Sequence, residues 1–237
     1  MSDAGTYVGS ELSLFAHAVR WKRYWSSRIR RYIGSSVIEV GAGLGSNTTF
    51  MNDGSASSWE CAEPDEAMSR YLEAARQRGE LPSNVVVTRG TLESRGGVPV
   101  DTIIYIDVLE HIEDDRDEFR RAASSLTAGG HLIVLAPAHQ WLYSAFDAAI
   151  GHHRRYTKRS LLRLNDAELE LELVEAFYLD SVGLLASAVN RFMLRSANPS
   201  RAQIALWDGV LVSLSRVVDV LTLGSFGKTV VAVWRRR

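Results

Sequence analysis

The hydrophobic positions of this chain change period at Gly34. From Leu12 to Ile33 apolar side chains recur at helical spacing, at Phe15, Ala18, Trp25, Ile29 and Ile33, while Arg20, Lys22, Arg23, Arg28, Arg30 and Arg31 fill the other side. This predicts an amphipathic helix whose charges form a solvated face, the alternative being contact with an anionic substrate or lipid headgroup. Beyond Gly34 short apolar runs alternate with helical segments. Strands are expected at Ser36–Val40, Ser58–Glu63, Val85–Thr88, Asp101–Asp107 and His131–Ala136, and helices at Ser46–Met51, Asp65–Gln77 and Asp115–Leu126. Gly129-Gly130 reads as the C-terminal cap of the third helix. Such alternation predicts an α/β domain with a doubly wound, mostly parallel sheet and helices on both faces.

The tail breaks this rhythm. Leu171–Leu179 and Lys228–Arg235 read as strands, and an apolar helical excursion, 183–226, separates them. Asn198-Pro199 interrupts that excursion. After the break Ile204, Trp207, Leu211, Leu214, Val218 and Leu221 form one stripe, with Arg201, Asp208, Arg216 and Asp219 elsewhere. The stripe predicts a cap packed on the sheet, and a groove for a greasy acceptor is its other reading. The count reaches seven strands, the last entering antiparallel. One domain spanning 1–237 is expected, with an N-terminal helical lid over 1–34 and the cap over 183–226.

Composition narrows the class without naming a function. With 46% hydrophobic and 23% charged residues the chain is ordinarily globular, and its net charge of -1 supplies no field that would draw it to nucleic acid. The single cysteine, Cys61, cannot pair internally. The first residues lack a basic region followed by an apolar run, and no uncharged apolar stretch reaches the roughly 18 residues of a membrane span. A cytoplasmic protein is expected, with peripheral membrane contact through Arg235-Arg236-Arg237 as the remaining membrane option. His152-His153 and the scattered acids show no ordered metal-ligand spacing, so no metal site is expected.

The stretch Val37-Ile38-Glu39-Val40-Gly41-Ala42-Gly43-Leu44-Gly45-Ser46-Asn47-Thr48 carries the clearest chemistry. A buried strand runs into alternating glycines and then a helix, the arrangement that lets a ligand approach bare backbone. The dinucleotide spacing Gly-x-Gly-x-x-Gly/Ala is not met, because its third small residue would fall on Ser46 or Thr48. That weighs against a nicotinamide-dependent oxidoreductase, the first rival reading. Glu39 lies inside the apolar strand, where an acid requires partners. A cofactor with an amino group and a sulfonium would be one partner, and loop backbone amides another. Glu63, about 20 residues beyond the glycines, is placed to hold a ribose diol, with Pro64 following. Thr91 and Leu92, after the third strand, would lie against an adenine ring.

At these residues the chain resembles the class I S-adenosylmethionine-dependent methyltransferases. The resemblance extends to Asp107-Val108-Leu109-Glu110-His111-Ile112 after the fourth strand and to Leu126-Thr127-Ala128-Gly129-Gly130-His131-Leu132-Ile133-Val134 at the fifth. It implies a Rossmann-like seven-stranded sheet with an antiparallel last strand. It also implies S-adenosylmethionine as cofactor, S-adenosylhomocysteine as product, and methyl transfer to a small-molecule acceptor. Cofactor contacts are expected from Glu39, Gly41, Ala42, Gly43, Gly45, Thr48, Glu63, Pro64, Thr91, Leu92, Asp107 and Val108. Gly151-His152-His153-Arg154-Arg155-Tyr156 matches a Gly-His-x-Arg-Arg-Tyr pattern of one bacterial branch of these enzymes. His111, His152, Arg155 and Tyr156 are the candidates for acceptor binding or proton removal. Pro137–Tyr143 would wall the acceptor site. The chain departs from that branch at Leu179-Asp180-Ser181-Val182-Gly183-Leu184-Leu185, where the branch carries Asn and Gly-Trp, which implies a different acceptor with the same cofactor. A catalytically silent binding scaffold and a lipid-linked acceptor are the remaining alternatives.

Overall fold

Val37, Ile38 and Val40 suit a strand buried on both faces, because β-branched side chains pack well on a pleated surface, and they form β1 (Ser36–Val40). A computed structural model describes residues 17–94, 97–189 and 200–237. The other strands are β2 (Ser58–Glu63), β3 (Val85–Arg89), β4 (Val100–Ile106), β5 (Leu126–Pro137), β6 (Leu171–Leu179) and β7 (Thr229–Arg236). Their order in the sheet is β3-β2-β1-β4-β5-β7-β6. The first five run parallel, while β7 enters antiparallel between β5 and β6. The seven-stranded, mostly parallel architecture expected from the chain is the one observed.

Alternate residues of the central strands feed two cores. Ile104, Ile133 and Val233 face one side with Trp25, Trp59 and Leu72. Ile103, Leu132, Val134 and Trp234 face the other with Tyr105 and Phe119. Helices cover both sides: α1 (Val19–Ile29), the short α2 (Thr48–Met51), α3 (Glu66–Gln77), α4 (Asp115–Ser124), α5 (Ala145–Ala149), α6 (Lys158–Leu162) and α7 (Ser181–Val189). The cap continues with α8 (Arg201–Leu206), one π-helical turn (Trp207–Leu211) and α9 (Val212–Leu221).

Three expectations need correction or limits. The helix α4 stops at Ser124, and Gly129-Gly130 does not cap it. These glycines lie inside β5, where Leu126 pairs with Val100 and the next pair is His131 with Thr102. The four residues between them bulge outward; Gly129 has φ +81°, and a Cβ on Gly130 would stand 2.9 Å from the Asp101 carbonyl oxygen. Second, the cap's stripe is out of phase. Ile204 and Trp207 are buried as expected, but Leu214 and Leu221 are exposed, and the buried positions are Asp208, Val212, Ser215 and Asp219. A π turn holds one extra residue, which rotates everything after it by about one position. Third, the Asn198-Pro199 break and the start of the first helix fall outside the described residues.

Asp208, Asp219 and Asp180 explain why acids occupy that buried face. Asp208 accepts the N–H groups of Arg20 (3.1 Å) and Trp21 (2.7 Å) at the start of α1. Asp219 accepts the Tyr24 hydroxyl (2.9 Å) and the N–H groups of Asp180 (2.7 Å) and Ser181 (3.0 Å). Asp180 accepts Trp207 Nε1 (2.7 Å) and Ser215 Oγ (2.6 Å), with Lys228 Nζ 3.3 Å away. The cap, the first helix and the end of β6 are thereby tied together. Asp180 lies in the segment that departs from the branch pattern.

Candidate active site

In an open α/β sheet the crevice lies beyond the carboxyl ends of the strands where the strand order reverses. Here that point falls between β1 and β4. The loop leaving β1 has Gly41, Gly43 and Gly45 at φ +65°, +58° and +73°, conformations only glycine adopts freely. A Cβ on Gly41 would stand 2.7 Å from a Val108 methyl, so the two loops flanking the crevice touch there. Ala42 is buried and Val108 half-buried.

Glu63 is buried at the end of β2. One carboxylate oxygen accepts the Gly43 N–H at 2.8 Å and the other the Asp65 N–H at 2.9 Å, while burial pushes the carboxyl above its usual range. Pro64 is exposed beside it. Thr91 is exposed, and Leu92 is buried in the core that includes Val40 and Ala62. Glu39 is bonded to neither loop amide; its Oε2 accepts Thr48 Oγ1 (2.7 Å) and Trp59 Nε1 (3.0 Å). Burial raises Glu39 to about 7, opposed by those two hydrogen bonds and by Lys22. Glu39 therefore fixes Thr48 at the start of α2.

Asp107 follows β4 with φ +54°, in a left-handed conformation that asparagine and aspartate tolerate best. Burial raises its carboxyl to about 6, against His152, Lys228, Arg155 and Lys22, while part of the residue stays exposed at the end of β4. Lys22 was read as a solvated charge, but α1 buries it: Nζ donates to the Ser46 carbonyl at 3.3 Å, and burial lowers it to about 8 against the pull of Glu39, Asp107 and Asp208.

The segment after β4 meets the loop after β5. Glu110 is fully buried; among the described residues neither carboxylate oxygen has a hydrogen-bond donor, and burial with Asp107 nearby pushes the carboxyl well up. The His111 and His152 rings meet edge to face at 4.5 Å. Burial and the neighbouring His152 lower His111 to about 4, a hydrogen bond to the Gly151 backbone opposing them. Asp147, also fully buried, bonds His152 Nδ1 at 2.9 Å and accepts Arg155 Nε at 2.8 Å and Nη2 at 3.0 Å. Tyr156 is buried, its hydroxyl donating to Asp115 at 2.7 Å and lying 3.3 Å from the Leu109 carbonyl. In the Pro137–Tyr143 segment Trp141 is half-exposed, and His139 stacks on Tyr178 at 5.0 Å. The structure thus brings Glu63, Gly43, Asp107 and Lys22 around one crevice and His111 and His152 together beside it. Arg155 and Tyr156 are committed to Asp147 and Asp115.

A family profile describing a methyltransferase domain matches residues 15–176. The chain belongs to the methyltransferase-domain family. The crevice of this methyltransferase carries bare backbone at the β1 loop, an acid at the end of β2, and Asp107 at the end of β4. The sequence matches none of the curated proteins. Among solved structures the methyltransferase is similar to a geranyl diphosphate C-methyltransferase from Streptomyces coelicolor A3(2), solved with Mg2+, geranyl diphosphate and S-adenosyl-L-homocysteine. The TM-score is 0.66 at 13% identity, covering 99% of this chain and 85% of that one. A coclaurine N-methyltransferase bound to N-methylheliamine and S-adenosylhomocysteine gives 0.61 at 14%, covering 100% and 76%. The cyclase SpnF gives 0.61 at 14%, covering 97% and 94%. These likenesses concern the fold, and the cyclase shows that the same fold carries other chemistry. No helix among the described residues is long and apolar enough to cross a membrane.

Four residues of the site escaped the sequence reading: Lys22, Glu110, Asp147 and Lys228. Glu110 lay inside a motif already singled out, and a glutamate next to a histidine at the end of a buried strand was the available signal. Asp147 carried none, because its partners follow an irregular loop, and Lys22 was covered only by the alternative of contact with an anionic substrate.

Proposed function

We propose that the methyltransferase acts on an oxygen of a small-molecule acceptor that enters from the side of His111 and His152. Convergence of the β1 loop, Glu63 and Asp107 at the switch point supports the donor's placement. Glu63 holds the ribose diol, Gly41, Ala42, Gly43 and Gly45 let the donor approach, and Thr48 anchors the loop through Glu39. Pro64, Thr91 and Leu92 flank the adenine, while Asp107 and Val108 face the methionyl side. Lys22 supplies a cation for the donor's carboxylate. Bound S-adenosylmethionine brings an activated methyl, so the chain's main task is alignment, which can contribute roughly 7–11 kcal/mol. A hydroxyl acceptor must also lose a proton, which an imidazole of His111 or His152 is placed to receive. Arg155 and Tyr156 hold the loop that carries His152. A cytoplasmic setting suits the single, buried Cys61.

Calorimetry with S-adenosylhomocysteine tests the donor site. Glu63→Ala should weaken binding by about 1–3 kcal/mol, the cost of losing a buried hydrogen-bond acceptor. Unchanged affinity would remove Glu63 from the site. Isotopically labelled methyl donor offered with a metabolite extract then tests the acceptor class, and label appearing only on amines or carbon would overturn the oxygen assignment. A greasy acceptor is the second reading, favoured by Leu214, Val217 and Leu221 exposed along the cap; label recovered in the lipid fraction would support it.

A further inference from the structure

We infer that Glu110, His111 and His152 form a binding site for one divalent first-row transition ion. One ligand atom from each lies within 4.8 Å of the others. The Glu110 carboxylate is fully buried with no donor on either oxygen among the described residues, an arrangement costly for a carboxylate and relieved by a cation. His152 Nε2 stands 3.8 Å from Glu110 Oε1, and two acceptors facing each other at that distance leave room for a positive ion between them.

The surroundings match a ligand set as well. Asp147 bonds His152 Nδ1 at 2.9 Å, so the carboxylate fixes the ring with Nε2 directed at Glu110. Asp147 is itself held by Arg155 and Ser144. A carboxylate behind a histidine is how proteins orient an imidazole for a metal. The Gly151 backbone holds the His111 ring in the same manner. Two imidazoles and one carboxylate suit manganese, iron or zinc, and suit calcium poorly. Ligand atoms in a tetrahedral site are roughly 3.4 Å apart at these bond lengths, so the three side chains would draw inward on binding.

The ion's binding stands on these residues alone; its use rests on the proposed acceptor. Asp107 is close enough for its charge to act on both Glu110 and His152, which places the group beside the crevice at the end of β4. With both imidazoles held by the ion, a hydroxyl coordinated to it would release its proton to water, and the histidines would act as ligands in place of the base role proposed above. Its oxygen pair would form the O–CH3 bond while the S–CH3 pair remains on sulfur, leaving a neutral ether and a neutral thioether.

The test uses untagged full-length protein, stripped with EDTA and desalted. It is then titrated separately with Mn2+, Zn2+ and Mg2+, with bound metal counted by mass spectrometry. One Mn2+ or Zn2+ per chain is expected, with a higher Tm. Glu110→Gln and His152→Ala should each lower metal affinity at least about 100-fold, and Asp147→Asn about 10- to 100-fold. His153→Ala, at the exposed neighbouring histidine, should leave it unchanged. S-adenosylhomocysteine binding is measured on every variant to show that the fold is kept. Wild-type protein that binds this product and takes up no stoichiometric ion overturns the inference while the methyl-transfer reading stands. Equal uptake by the wild type and a folded Glu110→Gln variant overturns it too. Wild-type protein that takes up the ion and no S-adenosylhomocysteine upholds the site and sinks the donor reading instead.

Discussion

Glu39 lies among Val37, Ile38 and Val40, and burial raises its carboxyl to about 7, against an ordinary 4.5. Between those values the folded chain keeps a proton that the unfolded chain has lost. Stability therefore falls as pH rises through that window and is level above it, a loss of about 3 kcal/mol when complete. Glu39→Gln abolishes the titration and keeps an oxygen for Thr48 and Trp59. Urea unfolding from about pH 4.5 to 8 should show the variant gaining on the wild type across the window; parallel curves would mean that Glu39 ionises unhindered in the fold. Residues at strand ends, such as Glu63 and Asp107, were legible in position because the strands place them whatever the rest of the chain does. Lys22 was not. On a helix rich in Arg its neighbours argue for water, and only the approach of Asp208 and the Ser46 carbonyl shows where it goes.

Helix and strand boundaries of the parallel half were read nearly to the residue, since period and turn chemistry agree there. They failed where an irregularity shifts the period, at the β5 bulge and at the π turn, because a few added residues leave composition intact and change only phase. Each irregularity gives a prediction. Gly130→Ala would push a methyl against the Asp101 and Thr127 carbonyl oxygens at 2.9 and 3.0 Å, and should cost about 1–3 kcal/mol in urea unfolding. A neutral result would mean the bulge relaxes freely. Asp208→Ala removes the acceptor for the Arg20 and Trp21 amides and should cost about 1–2 kcal/mol. Hydrogen exchange of those amides should quicken, and S-adenosylhomocysteine affinity should fall as Lys22 loosens. Unaltered exchange would show that α1 is held by its apolar face alone.

At the scale of the molecule, the crevice draws on α1, the β1 loop, the ends of β2 and β4, and the loop around His152. A product that bridges these parts stabilises them together. At one hundred times its Kd, S-adenosylhomocysteine should add about 2.7 kcal/mol, or roughly 5–10 °C in Tm for a chain of this size. Exchange protection should extend from Gly43 to α1; protection confined to the β1 loop would separate α1 from the site. The sheet as a whole was legible from alternation, whereas the partnership of the first helix with the cap was not. It depends on acids that a helical wheel assigns to water.

The insertion of β7 between β5 and β6 bears on how the protein is made. A nascent chain emerging from the ribosome displays both flanking edges, with their amide and carbonyl groups unmatched, until residues 229–236 arrive to fill the slot. β7 thus threads into a gap whose two sides are synthesised before it. A pause just before that point would hold the two open edges ready for a neighbouring chain on the same polysome.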